Sequence, residues 1–181
     1  VAGLGPGPLA AIGFVTPLFL ILAGIGTGIG AGVNSLISRY VGSKNQTKAN
    51  EAAVQSVVLG IIVSLIVTVI FVVILEPTLY IMGAKEVFNY AIDYGRPLFI
   101  FSMVTILPVA YAGIFRAEGD IKRATLPMCI SAILNMILDP IFIYTLNLGI
   151  TGAAIATLIS IFIELLIILY WVFIKKDTYF K

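Results

Sequence analysis

Cut at its clusters of charged residues, the chain leaves five long apolar runs, at about 9–37, 52–75, 87–115, 124–146 and 152–174. The alternating pattern of a membrane β-barrel, with strands of roughly ten residues, does not occur in them. Each run holds at least about 20 residues, which at 1.5 Å per residue crosses a hydrocarbon core about 30 Å thick. The pattern predicts an all-α polytopic membrane helix bundle with five transmembrane helices.

Composition agrees. Of 181 residues, 60% are hydrophobic and 11% charged, with a mean hydropathy of +1.11, against roughly 25% charged residues in a soluble domain. That excludes a soluble globule, and equally a disordered, collagen-like or nucleic-acid-binding chain. There is no histidine, which removes His-liganded metals, Ser-His-Asp hydrolysis and imidazole proton shuttles. No catalytic nucleophile with its base is present, so the chain reads as a non-enzyme needing no cofactor. The single cysteine, Cys129, lies in an apolar run and reads as a small buried thiol.

Charge position sets orientation. Nine of the 11 basic residues fall at Arg39, Lys44 and Lys48, at Arg116, Lys122 and Arg123, and at Lys175, Lys176 and Lys181, after the first, third and fifth runs. The loop after the second run holds Lys85, and that after the fourth holds no basic residue. By the positive-inside rule the loops near 39–51 and 116–123 and the C-terminus are cytoplasmic, in a plasma membrane. Val1 then begins outside, and Gly3 to Pro8 reads as an outer turn. Starting at Val1, without an initiator methionine, the chain is expected to be part of a longer one, a preceding helix making six spans.

Tyr170, Trp171 and Tyr179 fit an interfacial aromatic belt. Gly24, Gly28 and Gly32 form two G-x-x-x-G steps, predicting close approach of a neighbouring helix on that face. Prolines at 17, 97, 108, 127 and 140 predict kinks. Gly26-Thr27-Gly28-Ile29-Gly30-Ala31 matches a loose dinucleotide pattern but lies inside an apolar span, where helix packing is the better reading.

An acidic or basic side chain at mid-span costs about 2.5–3.5 kcal/mol, so intramembrane charges are where function is sought. These are Asp93 and Arg96 in the third run, Asp139 in the fourth and Glu164 in the fifth. Ser131, Asn135 and Asp139 share one helix face, with Pro140 next; Thr157, Ser160 and Glu164 form a second stripe, and Asn89, Asp93 and Arg96 a third, beside Tyr94. Asp139, Thr157, Asp93 and Tyr94 each lie about 10 Å inside the outer helix ends, which predicts one shared polar level. Oxygen groups there suit a small hard cation such as Na⁺, and a carboxyl out of water is equally suited to carry a proton. Asp139 has a plainer reading as a partner for Asn135 or for backbone freed by Pro140. Asp93 and Arg96 are expected to pair with each other at i, i+3. Glu164 divides evenly between a cavity-facing role and helix packing.

The run Phe115-Arg116-Ala117-Glu118-Gly119-Asp120 resembles the R-A-x-G-D/N signature of the multidrug and toxic compound extrusion (MATE) family. The likeness continues through Leu134-Asn135-Met136-Ile137-Leu138-Asp139-Pro140 and Gly149-Ile150-Thr151-Gly152-Ala153-Ala154-Ile155-Ala156-Thr157. Val1 to Gly5, followed by Leu9 to Gly13, resembles the end of that family's first helix and the loop into its second, and Ser38-Arg39-Tyr40-Val41-Gly42 resembles the cytoplasmic end of the second. The resemblance implies a twelve-helix exporter of two six-helix lobes, with residues 1–181 as a partial N-terminal lobe: the tail of helix one and helices two to six. It implies export of drugs or other cationic or amphipathic compounds in exchange for Na⁺ or H⁺. The cation would sit at Asp139, Asn135 and Thr157, supported by a polar network of Tyr94, Asp93, Ser131, Ser160 and Glu164. The expected partners are the small-molecule substrate, the bilayer, and the missing helix one and C-terminal lobe. The family's helix-one aspartate would fall just before Val1, leaving the site short of one carboxylate. Alternatives are a lipid-linked oligosaccharide flippase of the same superfamily, disfavoured because Arg96 is the lone intramembrane cation expected, and an uncoupled channel or scaffold.

Overall fold

The computed structural model describes residues 2–175, with side chains described over 3–173. After a 3₁₀ turn at Ala2–Leu4, the helices are α1 (Pro6–Gly42), α2 (Gln46–Ile81), α3 (Phe88–Ile100), α4 (Ser102–Ala117), α5 (Ile121–Pro140) and α6 (Gly149–Leu169). Four helical segments are long and apolar enough to cross a membrane, and α3 with α4 supplies a fifth span bent by 49°. The chain is a multi-pass membrane protein. Its helices outrun the expected spans: the 36 residues of α2 extend about 54 Å.

The ends of the helices follow from local chemistry. α1 starts on Pro6 after Gly5, whose φ of 100° favours glycine. α2 and α5 are capped by Asn45 and Asp120, which accept from the backbone N–H of Lys48 at 3.1 Å and of Arg123 at 2.9 Å. These caps fall in loops 43–45 and 118–120, beside the basic clusters Arg39, Lys44 and Lys48 and Arg116, Lys122 and Arg123, at one end of the bundle.

The third run is not one straight helix. Pro97 has no N–H for the carbonyl four residues back, and the chain turns at Phe101, whose φ is −97° and ψ 30°. Two hydrogen bonds pin the turn to α2: the Ser102 hydroxyl donates to the Ser64 carbonyl at 3.1 Å, and Ser102 and Thr68 share a bond at 2.5 Å. Ser64 and Ser102 are fully buried. Interhelical bonds of this kind contribute about 0.6 kcal/mol each. Ser102→Ala in the full-length protein is therefore expected to lower unfolding stability by about 1 kcal/mol, read from thermal unfolding in detergent. An unchanged melting temperature would show that the bend is held elsewhere.

α1 packs most extensively on α4. A Cβ on Gly113 would run into the Gly30 carbonyl, and one on Gly30 would lie 2.7 Å from the Val109 carbonyl oxygen. The close approach thus uses Gly26 and Gly30. The expected face of Gly24, Gly28 and Gly32 is instead exposed, with nothing within 4 Å of an added Cβ. Both glycine sets have the same spacing, and only the rotation of α1 chooses between them. Along α2 the buried positions Ala52, Ser56, Gly60, Ser64, Val67, Phe71 and Leu75 recur every helical turn. The larger apolar residues Val54, Leu65, Val69 and Val73 point outward, as a helix in lipid allows.

Two cores result. One gathers Val15, Leu22, Phe71, Leu75, Phe99 and Ile106, with Phe71 and Phe99 stacked at 4.9 Å. The other gathers Ile37, Leu107, Tyr111, Phe115, Leu165 and Ile168. Trp171 is held edge-on against Phe115 at 6.4 Å, so it packs on protein, whereas Tyr170 is exposed. Tyr179, Lys176 and Lys181 lie outside the described residues.

Cys129 is exposed rather than buried. α5 buries only Pro127 and Ser131 in its α-helical length. In a membrane protein an apolar run signals lipid as readily as protein interior, and the thiol sits on the outer face.

Candidate cation site

Pro140 shapes the site from the sequence upward. Without an N–H it cannot continue the α-helical ladder, and Ile141–Thr145 widens into a π-helical turn. There Leu146 and Leu148 donate to the carbonyls of Ile141 and Phe142. α6 restarts at Gly149, which like Asn147 before it has a positive φ. Its first turn presses on the π turn, since a Cβ on Gly152 would lie 2.6 Å from the Phe142 carbonyl oxygen. This backbone contact fixes how α5 and α6 face each other below it. Gly3 abuts the same region, a Cβ there meeting the Tyr144 hydroxyl at 2.6 Å.

Below that lock, Asn135 spans the two helices. Its amide donates to Asp139 Oδ1 at 3.3 Å and to Thr157 Oγ1 at 3.2 Å. Thr157 donates its own proton to the Ala153 carbonyl at 2.9 Å. All three side chains are partly buried. Tyr94, on α3, faces Asp139 closely enough for the two groups to interact electrostatically. The structure therefore brings Asp139, Asn135 and Thr157 together, with Tyr94 within electrostatic range of Asp139. The donor set is a carboxylate, an amide and a hydroxyl, hard oxygen ligands of the kind Na⁺ takes. The amide N–H₂ stands where a cation's positive charge would act. Rotating the amide would exchange it for the amide oxygen.

Other expected members stand apart. Ser131 and Glu164 face each other within hydrogen-bonding reach, deeper along the same seam. Ser160 is buried and donates to the Ala156 carbonyl of its own helix at 2.8 Å. Asp93 is exposed and does not join the cluster. It does not pair with Arg96 either, because Arg96 binds Glu76 of α2 at 2.7 Å. Glu76 was missed as a membrane charge because the apolar run ends at Leu75, whereas α2 continues to Ile81. Both side chains of this pair are about half exposed. A separate cavity of about 670 Å³ is lined by Tyr80, Lys85, Glu86, Phe88, Asn89 and Tyr90. It shares no residue with the α5–α6 seam.

A helical bundle with a broken third span and a polar bridge between its last two helices defines a polytopic membrane protein. The MatE family model matches residues 1–141, and the chain belongs to that family. Protein DETOXIFICATION 43 of Arabidopsis thaliana is 42% identical over 73 residues, covering 40% of this chain and 14% of that protein. Multidrug export protein MepA of Staphylococcus haemolyticus (strain JCSC1435) is 33% identical over 98 residues, covering 54% and 22%. A crystal structure of MATE in the bent conformation superposes with a TM-score of 0.98 at 40% identity, over 100% of this chain and 41% of that one. The chain spans less than half the length of each.

Proposed function

We propose that residues 1–181 act as part of the N-terminal lobe of a secondary antiporter that exports drugs or other cationic or amphipathic compounds in exchange for Na⁺ or H⁺. Family membership supports transport. The similarity to a protein named for multidrug export supports the substrate class. The observation that carries the coupling site is the Asn135 amide reaching Asp139 and Thr157 on two helices at once.

The mechanism follows from that bridge. A cation arriving at Asp139 replaces the amide N–H as the positive partner of the carboxylate, and Asn135 turns its oxygen inward. The link to Thr157 is then remade through the cation, which alters how α5 and α6 hold each other. Coupling requires that the cation prefer one of the outward and inward states, since equal affinity shifts nothing. The basic loops near 39–51 and 116–123 support a cytoplasmic placement of that end in a plasma membrane.

In proteoliposomes holding the full-length protein, an imposed Na⁺ or H⁺ gradient should drive substrate movement. Thr157→Val is expected to raise the driving cation's half-saturating concentration about tenfold, a loss of about 1.4 kcal/mol. Gradient-independent flux, or an unshifted concentration in the variant, would contradict the proposal.

A further inference from the structure

Asp139 is not the only acidic group on the α5–α6 seam. Glu164 lies 15 positions into α6 from Gly149, about 22 Å from that end, and Thr157 is about 10 Å back along the same face. Ser160 and Ile168, one turn to either side of Glu164 on that face, are 1% and 2% exposed, so this stripe of α6 is held against protein. Ser131, 6% exposed, meets the Glu164 carboxyl from α5 within hydrogen-bonding reach. Neither of the ion pairs Arg96–Glu76 and Arg123–Asp120 includes Glu164. A serine hydroxyl donates one hydrogen bond and brings no charge. A carboxylate near mid-bilayer with that partner alone is costly unless a cation neutralises it.

We propose that Glu164, oriented by Ser131, is a second station for the coupling cation, deeper than Asp139. This rests on the reading of Asp139 as the first station. For a proton, the O–H bond at Asp139 breaks as one forms at Glu164, leaving a carboxylate behind. For Na⁺, oxygen ligands exchange and no bond to hydrogen changes. Asn135 to Ser131 on α5, and Thr157 to Ser160 on α6, line the interval with polar groups one turn or less apart. The charge of Glu164 draws the cation away from the Asp139 level and toward the end of the bundle that carries loop 118–120.

The test uses full-length protein in proteoliposomes, with ²²Na⁺ and an entrapped pH dye as the two probes of counter-ion movement. Glu164→Gln is expected to reduce substrate-driven cation flux at least about tenfold, and Ser131→Ala about threefold, while Glu164→Asp retains most of it. Equilibrium cation binding that depends on Asp139 should persist in Glu164→Gln. Wild-type flux in Glu164→Gln overturns the second station. Should that variant fail to insert, wild-type flux in Ser131→Ala overturns it instead. Asp139→Asn run in parallel separates the two claims: flux lost there but retained in Glu164→Gln removes the second station alone. Flux retained in both removes the Asp139 reading as well.

Discussion

Full-length protein carrying Asp139→Asn is expected to reach the membrane at the wild-type level and to lose ion-coupled export by at least about a hundredfold. The substitution keeps the size of the side chain and an oxygen facing the Asn135 amide at the position of Oδ1, so the α5–α6 seam can still close. What it removes is the negative charge, and with it the differential cation binding that coupling requires. Dye efflux from cells, normalised to the protein detected in membranes, reads the effect. Undiminished efflux at equal expression would show that Asp139 only bonds to Asn135, the plainer reading of the sequence.

The largest structural effect is expected at Gly113. Valine there would press its Cβ into the backbone of Gly30 on the facing helix, and backbone cannot swing aside as a side chain can. Gly113→Val should cost about 3 kcal/mol, the upper end for overpacking, and be seen as a sharp fall in membrane level and melting temperature. Gly24→Ala is the contrast. Nothing lies within 4 Å of its added methyl, so its effect should stay within about 0.5 kcal/mol. Equal tolerance of both substitutions would mean that α1 does not meet α4 through Gly30.

These two glycines illustrate what the sequence could and could not convey. Spans were legible because apolar length is read directly against bilayer thickness, and the kink of the third span because Pro97 lies within it. Helix rotation was not legible. Gly24, Gly28 and Gly32 have the same spacing as Gly26 and Gly30, and lipid accepts the apolar residues of either face. Cys129 was misplaced for the same reason, since an apolar neighbourhood in sequence does not distinguish lipid from protein. Within the candidate site, the periodicity of Ser131, Asn135 and Asp139 on α5, and of Thr157 and Glu164 on α6, placed the polar stripes on facing sides. Depth counting alone also drew in Asp93, which shares the level of Tyr94 but sits on an exposed side of α3. The Arg96–Glu76 pair was hidden because it joins different helices, and proximity between helices leaves no mark in local spacing. The clamp between Gly152 and the π turn was not legible, because Gly152 meets the Phe142 carbonyl only once the chain has turned back between α5 and α6.

Direct cation binding to purified full-length protein tests the central claim most closely. With ²²Na⁺ in one arm and proton uptake or release followed by a pH indicator in the other, wild type and Asp139→Asn are titrated side by side at equal folded content. The account predicts that one arm shows saturable binding in the wild type, and that the variant lacks the component assigned to Asp139, Asn135 and Thr157. Identical titrations of wild type and variant in both arms would contradict it.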